Sequence, residues 1–148
     1  MGLEYAVPSS RRDCVFCRII DGSEHAHIVY QDSSAIAFFP LAPVTEGHTL
    51  VAPRVHARTL IDIDPTNAGA LMIAATNVAR MLQRTLQPDG MTMFQTNERA
   101  GWQSVFHVHL HLVPRWEDDD LIKPWALEKS DVGDLDSLKL RIVSNDVD

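Results

Sequence analysis

The 148-residue sequence lacks any apolar run near the ~20 residues of a membrane span. Its first eight residues lack the basic start and apolar core of a secretion signal. It also lacks excess positive charge, because 13 Lys and Arg stand against 20 Asp and Glu, for a net charge of −7. These absences disfavour membrane attachment and binding to a nucleic-acid polymer, although a small phosphorylated ligand stays compatible. We expect an ordinary globular domain in the cytoplasm.

Cysteine is scarce as well, since only Cys14 and Cys17 occur. A framework of several disulfides is therefore excluded, and in a reducing compartment the Cys-x-x-Cys spacing indicates a metal or redox pair. The flanking sequence does not supply the βαβ context of a thioredoxin-like site, which favours zinc. Two thiolates are half of a zinc site, so two more ligands must come from elsewhere. The alternative is a pair of small thiols packed in the core.

Hydrophobic periodicity predicts an α+β domain with an antiparallel five-stranded sheet, one long helix and a short N-terminal helix. Asp13 is expected to cap the short helix, and Asp64 to cap the long one, with Pro65 in its first turn. A tail segment, 135–143, fits a short helix or a strand. The predicted helices are 14–20 and 65–87, and the predicted strands are 27–30, 35–39, 48–52, 91–96 and 104–113.

Three histidines, His107, His109 and His111, recur at a spacing of two in the last predicted strand. That period points three imidazoles to one face of a strand and the intervening apolar residues to the other. Such a pattern is much less expected by chance than a lone histidine, so we set aside surface histidines without a role. Two interpretations remain, a metal site and a site of phosphoryl or nucleotidyl transfer.

The neighbours of the histidines favour transfer chemistry. A neutral imidazole is a good nucleophile toward phosphorus, provided that other groups fix its tautomer and hold the charged oxygens. The middle histidine, His109, is best flanked for attack on an α-phosphate, with His111 and Ser104 holding oxygens. Gln103 and Asn97 are further neutral donors near the same place.

Three segments together resemble the histidine-triad (HIT) superfamily. Residues 97–115, Asn-Glu-Arg-Ala-Gly-Trp-Gln-Ser-Val-Phe-His-Val-His-Leu-His-Leu-Val-Pro-Arg, match its His-φ-His-φ-His signature. Residues 14–20 resemble its N-terminal Cys-x-Phe-Cys segment, as in the Hint-like branch, and residues 45–56 its Gly-His-x-Leu-Val-x-Pro-x-x-His segment. We therefore predict a flexible arm at 1–12, a HIT domain at 13–115 and a C-terminal extension at 116–148.

The resemblance implies a HIT-like fold that dimerises through its long helix and the adjoining strand. It also implies chemistry on nucleoside phosphoramidates or dinucleoside polyphosphates, without a metal in the covalent step. By the family pattern His109 is the nucleophile, His111 contacts the α-phosphate and Ser104 lies near the leaving group. Asn97 and Gln103 match positions that line the phosphate site.

The same resemblance implies a structural zinc held by Cys14, Cys17, His56 and His107. These four would form a closed Cys₂His₂ tetrahedron that ties the N-terminal helix to the sheet. His48 is a competing ligand, and His56 is preferred to it by resemblance alone.

Two features concern the nucleoside end of the ligand. The family often has an acidic residue for the ribose hydroxyls where this chain has Pro40, whose side chain accepts no hydrogen bond. We therefore expect loose ribose recognition and tolerance of varied nucleosides. Ile28 and Phe38 are apolar residues near the expected purine cleft, where they could contact a base or simply pack in the core. Trp102 is bulky and could narrow the entrance.

These observations predict a nucleotide hydrolase that acts through a nucleotidyl-histidine. A nucleotidyl transferase or phosphorylase is the first alternative, and a non-catalytic nucleotide- or zinc-binding interaction protein is the second. A glutamine in place of the third histidine often marks the transferase branch, so His111 favours hydrolysis. The presence of His109, Ser104 and Asn97 argues against a site that has lost its activity.

Overall fold

The fold is an antiparallel sheet covered by helices, as the sequence predicts. The computed structural model describes residues 11–121 and 133–145. The strands are β1 (Ile28–Gln31), β2 (Ala35–Phe38), β3 (Thr49–Pro53), β4 (Gly90–Gln95) and β5 (Leu110–Arg115), and the helices are α1 (Val15–Asp21), α2 (Pro65–Leu86) and α3 (Leu135–Ser144). The sheet order is β1-β2-β3-β5-β4, with every neighbouring pair antiparallel.

The two faces of the sheet carry two separate apolar clusters. Helix α2 packs on one face, and helix α1 packs on the other. The α2 cluster contains Ala35, Ala37, Val51, Leu71, Ala74, Ala75, Val78, Leu82, Leu110 and Leu112. The α1 cluster contains Cys14, Phe16, Cys17, Ile19, Ile36, Phe38, Leu50 and Ala52. Because side chains alternate along a strand, β2 and β3 contribute to both clusters and are buried throughout.

The start of α1 differs from the prediction. Cys14, not Asp13, is the N-cap, and its Sγ accepts a hydrogen bond from the backbone N–H of Cys17 at 3.4 Å. Asp13 lies in a short 3₁₀ turn, Arg11–Asp13. Helix α1 ends at Asp21, and the next residue, Gly22, adopts the left-handed conformation.

The last strand also differs from the prediction, since β5 begins at Leu110 and not at Ser104. The backbone N–H of Val108 donates to the carbonyl of Ala57 at 2.7 Å, outside the sheet, so this segment is pulled toward the 54–58 loop. At its other end β5 continues through Pro114, which lies beyond the last residue paired with β3, Leu112. The missing N–H of the proline therefore costs no ladder bond to that strand.

The predictions for the long helix and the tail segment can be compared with the structure, whereas those for most of the arm and part of the extension cannot. Helix α2 is capped by the Asp64 side chain, which accepts from the N–H of Asn67, and α3 settles the tail segment as a helix. Most of the predicted arm at 1–12 and residues 122–132 and 146–148 of the predicted extension lie outside the described residues. Within the described ranges, no helix combines the length and apolar character required to span a bilayer.

Candidate active site and metal centre

The two cysteines meet two histidines at the start of α1. Helix α1 presents Cys14 and Cys17, the loop after β3 presents His56, and the segment before β5 presents His107. The ligand atoms of these four side chains all lie within 4.8 Å of one another. The structure thus brings together the four residues that the resemblance assigned to zinc.

Three sulfur-to-nitrogen distances in this cluster are close to the edges of a tetrahedral zinc site. His107 Nδ1 lies 3.4 Å from Cys14 Sγ and 3.6 Å from Cys17 Sγ, and His56 Nδ1 lies 3.3 Å from Cys17 Sγ. With Zn–S bonds of about 2.3 Å and Zn–N bonds of about 2.1 Å, a tetrahedral zinc has S···N edges of about 3.6 Å. The donor set and its spacing therefore fit a structural zinc ion.

The backbone prepares His107 to be a metal ligand. Its Nε2–H donates to the carbonyl of Pro53 at 2.8 Å. Because a carbonyl can only accept, the proton sits on Nε2 and the Nδ1 lone pair faces the thiols. Burial lowers the pKa of His107 to about 4, so the ring is neutral at physiological pH. Neutral imidazole is the form that binds zinc.

His109 has the opposite arrangement two residues later. Its Nδ1–H donates to the carbonyl of His107 at 2.6 Å, so Nε2 keeps its lone pair. The ring is only 4% exposed and meets the edge of Phe16 at 5.0 Å between centroids. Burial lowers the pKa of His109 as well, which keeps Nε2 unprotonated. An oriented, neutral imidazole with one free lone pair is an activated nucleophile.

His111 is oriented by a fourth histidine, His48. The backbone N–H of Val44 donates to His48 Nδ1 at 3.2 Å, which places the His48 proton on Nε2. His48 Nε2–H then donates to His111 Nδ1 at 3.0 Å, so the proton of His111 sits on Nε2. His111 therefore offers an N–H donor, and its ring centroid lies 4.9 Å from that of His109. One ring presents a lone pair and its neighbour presents a donor.

The turn before His48 fixes this relay in place. Gly47 has φ +80°, and a Cβ on it would collide with the side chain of Leu86 on α2. Only glycine combines that backbone conformation with so close an approach. The turn thereby delivers His48, 5% exposed, to the start of β3.

One row of residues, one from each strand, crosses the whole sheet and includes His111. Residues paired in register from β1 to β4 are Ile28, Phe38, Leu50, His111 and Phe94. Phe94 stacks on the His111 ring at 4.2 Å and an interplanar angle of 9°, and Phe38 is 2% exposed against Phe16. Ile28, 45% exposed, is the accessible apolar end of the row, whereas Phe38 lies in the core.

The loop between β4 and the histidines places the remaining predicted residues. Ser104 is exposed, two residues before the buried Phe106. Asn97 Oδ1 accepts from the N–H of Leu60 at 2.7 Å, which ties the loop to the segment after His56. Gln103 is 3% exposed, and its amide is bonded to three backbone groups. A role of Gln103 as a direct phosphate ligand stays a prediction.

The comparison with known proteins identifies the family. The HIT domain family model matches residues 21–118. The chain belongs to the HIT family. An uncharacterized HIT-like protein of Saccharolobus solfataricus is 34% identical over 117 residues, 78% of this chain and 84% of that protein. The adenylylsulfatase HINT3 of Arabidopsis thaliana is 30% identical over 118 residues, 80% of this chain and 58% of that protein.

A solved structure agrees with both the HIT fold and the metal centre. The zinc-bound histidine triad family protein of Mycobacterium smegmatis superposes with a TM-score of 0.73 at 32% identity. The superposition covers 80% of this chain and 86% of that chain. A zinc-bound relative of the same fold supports the assignment of the Cys₂His₂ cluster to structural zinc.

Sequence reasoning missed the part that His48 plays in this HIT site. We considered it only as a competing zinc ligand, whereas it bonds His111 and lies outside the four-residue metal cluster. The available signal was its place in the Gly-His-x-Leu-Val segment. A prediction that paired β3 with β5 in the correct register would have placed Leu50 opposite His111. The start of β3, where His48 lies, would then have been near the triad.

Proposed function

We propose that this HIT protein is a hydrolase that cleaves nucleoside phosphoramidates or dinucleoside polyphosphates through a nucleotidyl-His109 intermediate. The observation that carries the proposal is the hydrogen bond from His109 Nδ1 to the carbonyl of His107. That bond leaves Nε2 of a buried, neutral ring as the free nucleophilic atom.

The reaction takes two displacements at the α-phosphorus. In the first, His109 Nε2 bonds to phosphorus while the bond from phosphorus to the leaving nitrogen or oxygen breaks. The leaving group departs with that electron pair and, as an amine, takes up a proton from solvent. In the second, water attacks the same phosphorus, loses a proton and releases the nucleoside monophosphate and free His109.

The other side chains have supporting roles in this scheme. His111 Nε2–H donates to a non-bridging oxygen, where negative charge is concentrated in the transition state. His48 keeps His111 in the tautomer that can donate. Ser104 lies near the leaving group, and Asn97 and Gln103 shape the phosphate end of the site. Ile28 is exposed beside the purine, whereas Phe38 supports that cleft from the core.

One relative supports hydrolysis at a nucleotide phosphorus. The Arabidopsis relative is named an adenylylsulfatase, which is a hydrolase of an adenylyl compound. In this chain the third histidine is kept as His111, a feature that we associate with hydrolysis and not with transfer to phosphate.

Zinc has a structural part in this proposal. When bound, it would crosslink Cys14 and Cys17 of α1 to His56 and His107. No chemical step passes through it. His107 is nonetheless shared, because its ring is a zinc ligand and its carbonyl orients His109.

We also propose that the protein is a homodimer formed through α2 and β4. Strand β4 is an edge of the sheet, and Met93, paired with Leu112 of the α2 cluster, is exposed on it. Met72 and Ile73 are exposed on α2. Burying these side chains against a second copy would remove a sizeable apolar surface from water.

Rapid quench into alkaline denaturant, in which a P–N bond to histidine survives, tests the chemistry with adenosine phosphoramidate and diadenosine tetraphosphate. We expect wild-type protein to release AMP and to carry an acid-labile adenylyl group on His109, detected by mass spectrometry of the peptide. His109→Ala should lose both, with a fall in turnover of at least about 10⁴-fold. The surface variant His25→Ala is the matched control and should behave as wild type.

Three outcomes would overturn the proposal. They are wild-type protein that turns over neither substrate, AMP release that survives in His109→Ala, and an adduct on another residue. Formation of ADP from added phosphate, in preference to AMP, would instead identify a phosphorylase.

A further inference from the structure

The loop that leads from β4 to Ser104 holds two non-glycine residues with positive φ. Glu98 has φ 60° and ψ 171°, a region that is essentially reserved for glycine, and Trp102 has φ 70°. Side chains at such positions are strained, and the strain persists only where surrounding contacts hold the backbone. The question is what holds this loop.

The side chain of Glu98 is held by Arg58 on the loop after β3. Arg58 Nε and Nη2 donate to the two carboxylate oxygens of Glu98, each at 2.6 Å. Such a two-point contact fixes orientation as well as distance. The guanidinium also lies 4.2 Å above the ring of Phe106, which adjoins the first triad histidine. A single side chain therefore contacts both ends of the loop.

Gln103 closes the arrangement into a cycle. The backbone N–H of Glu98 donates to Gln103 Oε1 at 2.8 Å, and Gln103 Nε2 donates to the carbonyl of Arg58 at 2.7 Å. The N–H of Gln103 donates to the carbonyl of Glu98 at 2.9 Å. We call these three residues, Arg58, Glu98 and Gln103, the loop latch.

The latch is joined to both the metal centre and the triad. Arg58 follows the zinc ligand His56 by two residues, and the carbonyl between them, of Ala57, accepts from Val108 between His107 and His109. The residue after Gln103 is Ser104. The latch thus connects the segment that carries the histidine row to the loop that carries the serine.

We infer that Arg58 is a positioning residue, which acts through Glu98 to hold the strained 97–104 loop so that Ser104 faces the leaving group. This inference rests on the proposed function, because it needs Ser104 to contact substrate. It explains why a glutamate occupies a glycine conformation, since glycine would relieve the strain but would leave Arg58 without its partner.

Hydrogen exchange tests whether the latch exists, with no reference to activity. Amides 98–104 of zinc-loaded Arg58→Met should exchange at least about tenfold faster than in wild type, while α2 stays protected. Methionine keeps an apolar chain over Phe106 and removes only the guanidinium. Arg18→Met is the matched control, because Arg18 donates to the Arg12 carbonyl at 3.2 Å and to Glu24 at 3.4 Å, neither of which belongs to this loop. Unchanged exchange at 98–104 in Arg58→Met would overturn the inference.

Kinetics with adenosine phosphoramidate tests the positioning role. We expect kcat of Arg58→Met to fall about 10- to 100-fold with KM within about threefold, because a misplaced Ser104 affects the transition state more than binding. The exchanged pair Arg58→Glu with Glu98→Arg should recover most of the loss. If kcat does not change in Arg58→Met, or if the exchanged pair recovers nothing, the inference is wrong.

Glu98→Gly separates positioning from simple structural support. Glycine removes the strain as well as the ion pair, so Tm should stay equal or rise while the loop exchanges faster and kcat falls as in Arg58→Met. A fall in Tm with unchanged kcat would show a purely structural contact and overturn the inference. The wild-type assay distinguishes the two proposals: an inactive wild type refutes the proposed function, whereas an active wild type with an unaffected Arg58→Met refutes only the positioning role.

Discussion

His107 and His109 are the same residue type, two positions apart, and the structure gives them opposite chemistry. His107 donates from Nε2 to Pro53 and turns Nδ1 toward two thiols, whereas His109 donates from Nδ1 to His107 and keeps Nε2 free. Both rings are buried and both have lowered pKa values. Burial therefore does not distinguish the two rings. They differ in which ring nitrogen donates its hydrogen bond to a backbone carbonyl.

This contrast shows how a row of identical side chains can be divided among tasks. A backbone carbonyl is a fixed acceptor, so it selects a tautomer without adding charge. The carbonyl that orients His109 belongs to His107 itself. The candidate metal ligand thus also orients the ring that we propose as the nucleophile.

The largest effects are expected from removing each ring in turn. His109→Ala should lose turnover, as proposed above, while keeping about one zinc per chain and the wild-type Tm within a few degrees. His107→Ala should lose most of the zinc and about 3 kcal/mol of stability, roughly 6–12 °C in Tm. Elemental analysis and calorimetry measure both variants.

The paired variants can contradict the division of roles. Zinc content that is unchanged in His107→Ala would show that the metal does not use this ring. Zinc loss in His109→Ala would show that the nucleophile position belongs to the metal centre. The surface variant His27→Ala should retain zinc, stability and turnover.

His48 should have the next largest effect. In His48→Leu the donor to His111 Nδ1 is lost, so His111 can place its proton on either nitrogen and its Nε2–H is no longer assured. We expect kcat to fall about 10- to 100-fold with zinc content unchanged. His48→Gln, whose amide can still donate, should recover part of the activity. Equal activity of wild type and the leucine variant would remove His48 from the relay.

Protonation of His111 should have a smaller effect, limited to acidic solution. Burial first, then the proximity of His109 and His48, lowers the pKa of His111 from 6.5 to about 3. The unfolded chain therefore binds the proton more tightly than the folded chain. This contribution to stability is complete above pH 6.5 and is lost as the pH falls toward 3.

The pH dependence of kcat/KM measures the same property of the free protein. We expect a nearly flat profile from about pH 6 to 8, with no bend at the ordinary histidine value. A bend at pH 6.5 that disappears in His111→Gln would show that this ring titrates normally and would contradict the buried, neutral donor.

Much of this arrangement could be predicted from the sequence. The spacing of Cys14 and Cys17 and the alternation of the histidines are local patterns, and they gave the metal pair and the histidine row directly. The long helix follows from its apolar period and its cap at Asp64. Which histidine binds metal came only from the resemblance to the HIT family, because alternation alone does not distinguish His107 from His109.

The rest depends on contacts between distant segments. The start of β5 at Leu110 is set by the bond from Val108 to Ala57, and the tautomer of His111 by a residue 63 positions earlier. Arg58 and Glu98 are separated by 40 positions, so no local pattern joins them. Charge and hydrophobic periodicity describe one secondary-structure element at a time. These features depend instead on how two distant segments are placed relative to each other.

The smallest effect is expected at the nucleoside end, which contrasts with the densely bonded phosphate end. Strand β2 ends at Phe38, which belongs to the cross-strand row, and Pro40 follows two residues later. The side chain of Pro40 accepts no hydrogen bond from a ribose. Adenosine, guanosine and 2′-deoxyadenosine phosphoramidates should therefore differ by less than about 100-fold in kcat/KM. Pro40→Asp should raise the preference for ribose over deoxyribose by up to about tenfold, with little change in kcat. If wild type already prefers ribose by more than 100-fold, another group binds the sugar, and the claim that recognition is concentrated at the phosphate would be wrong.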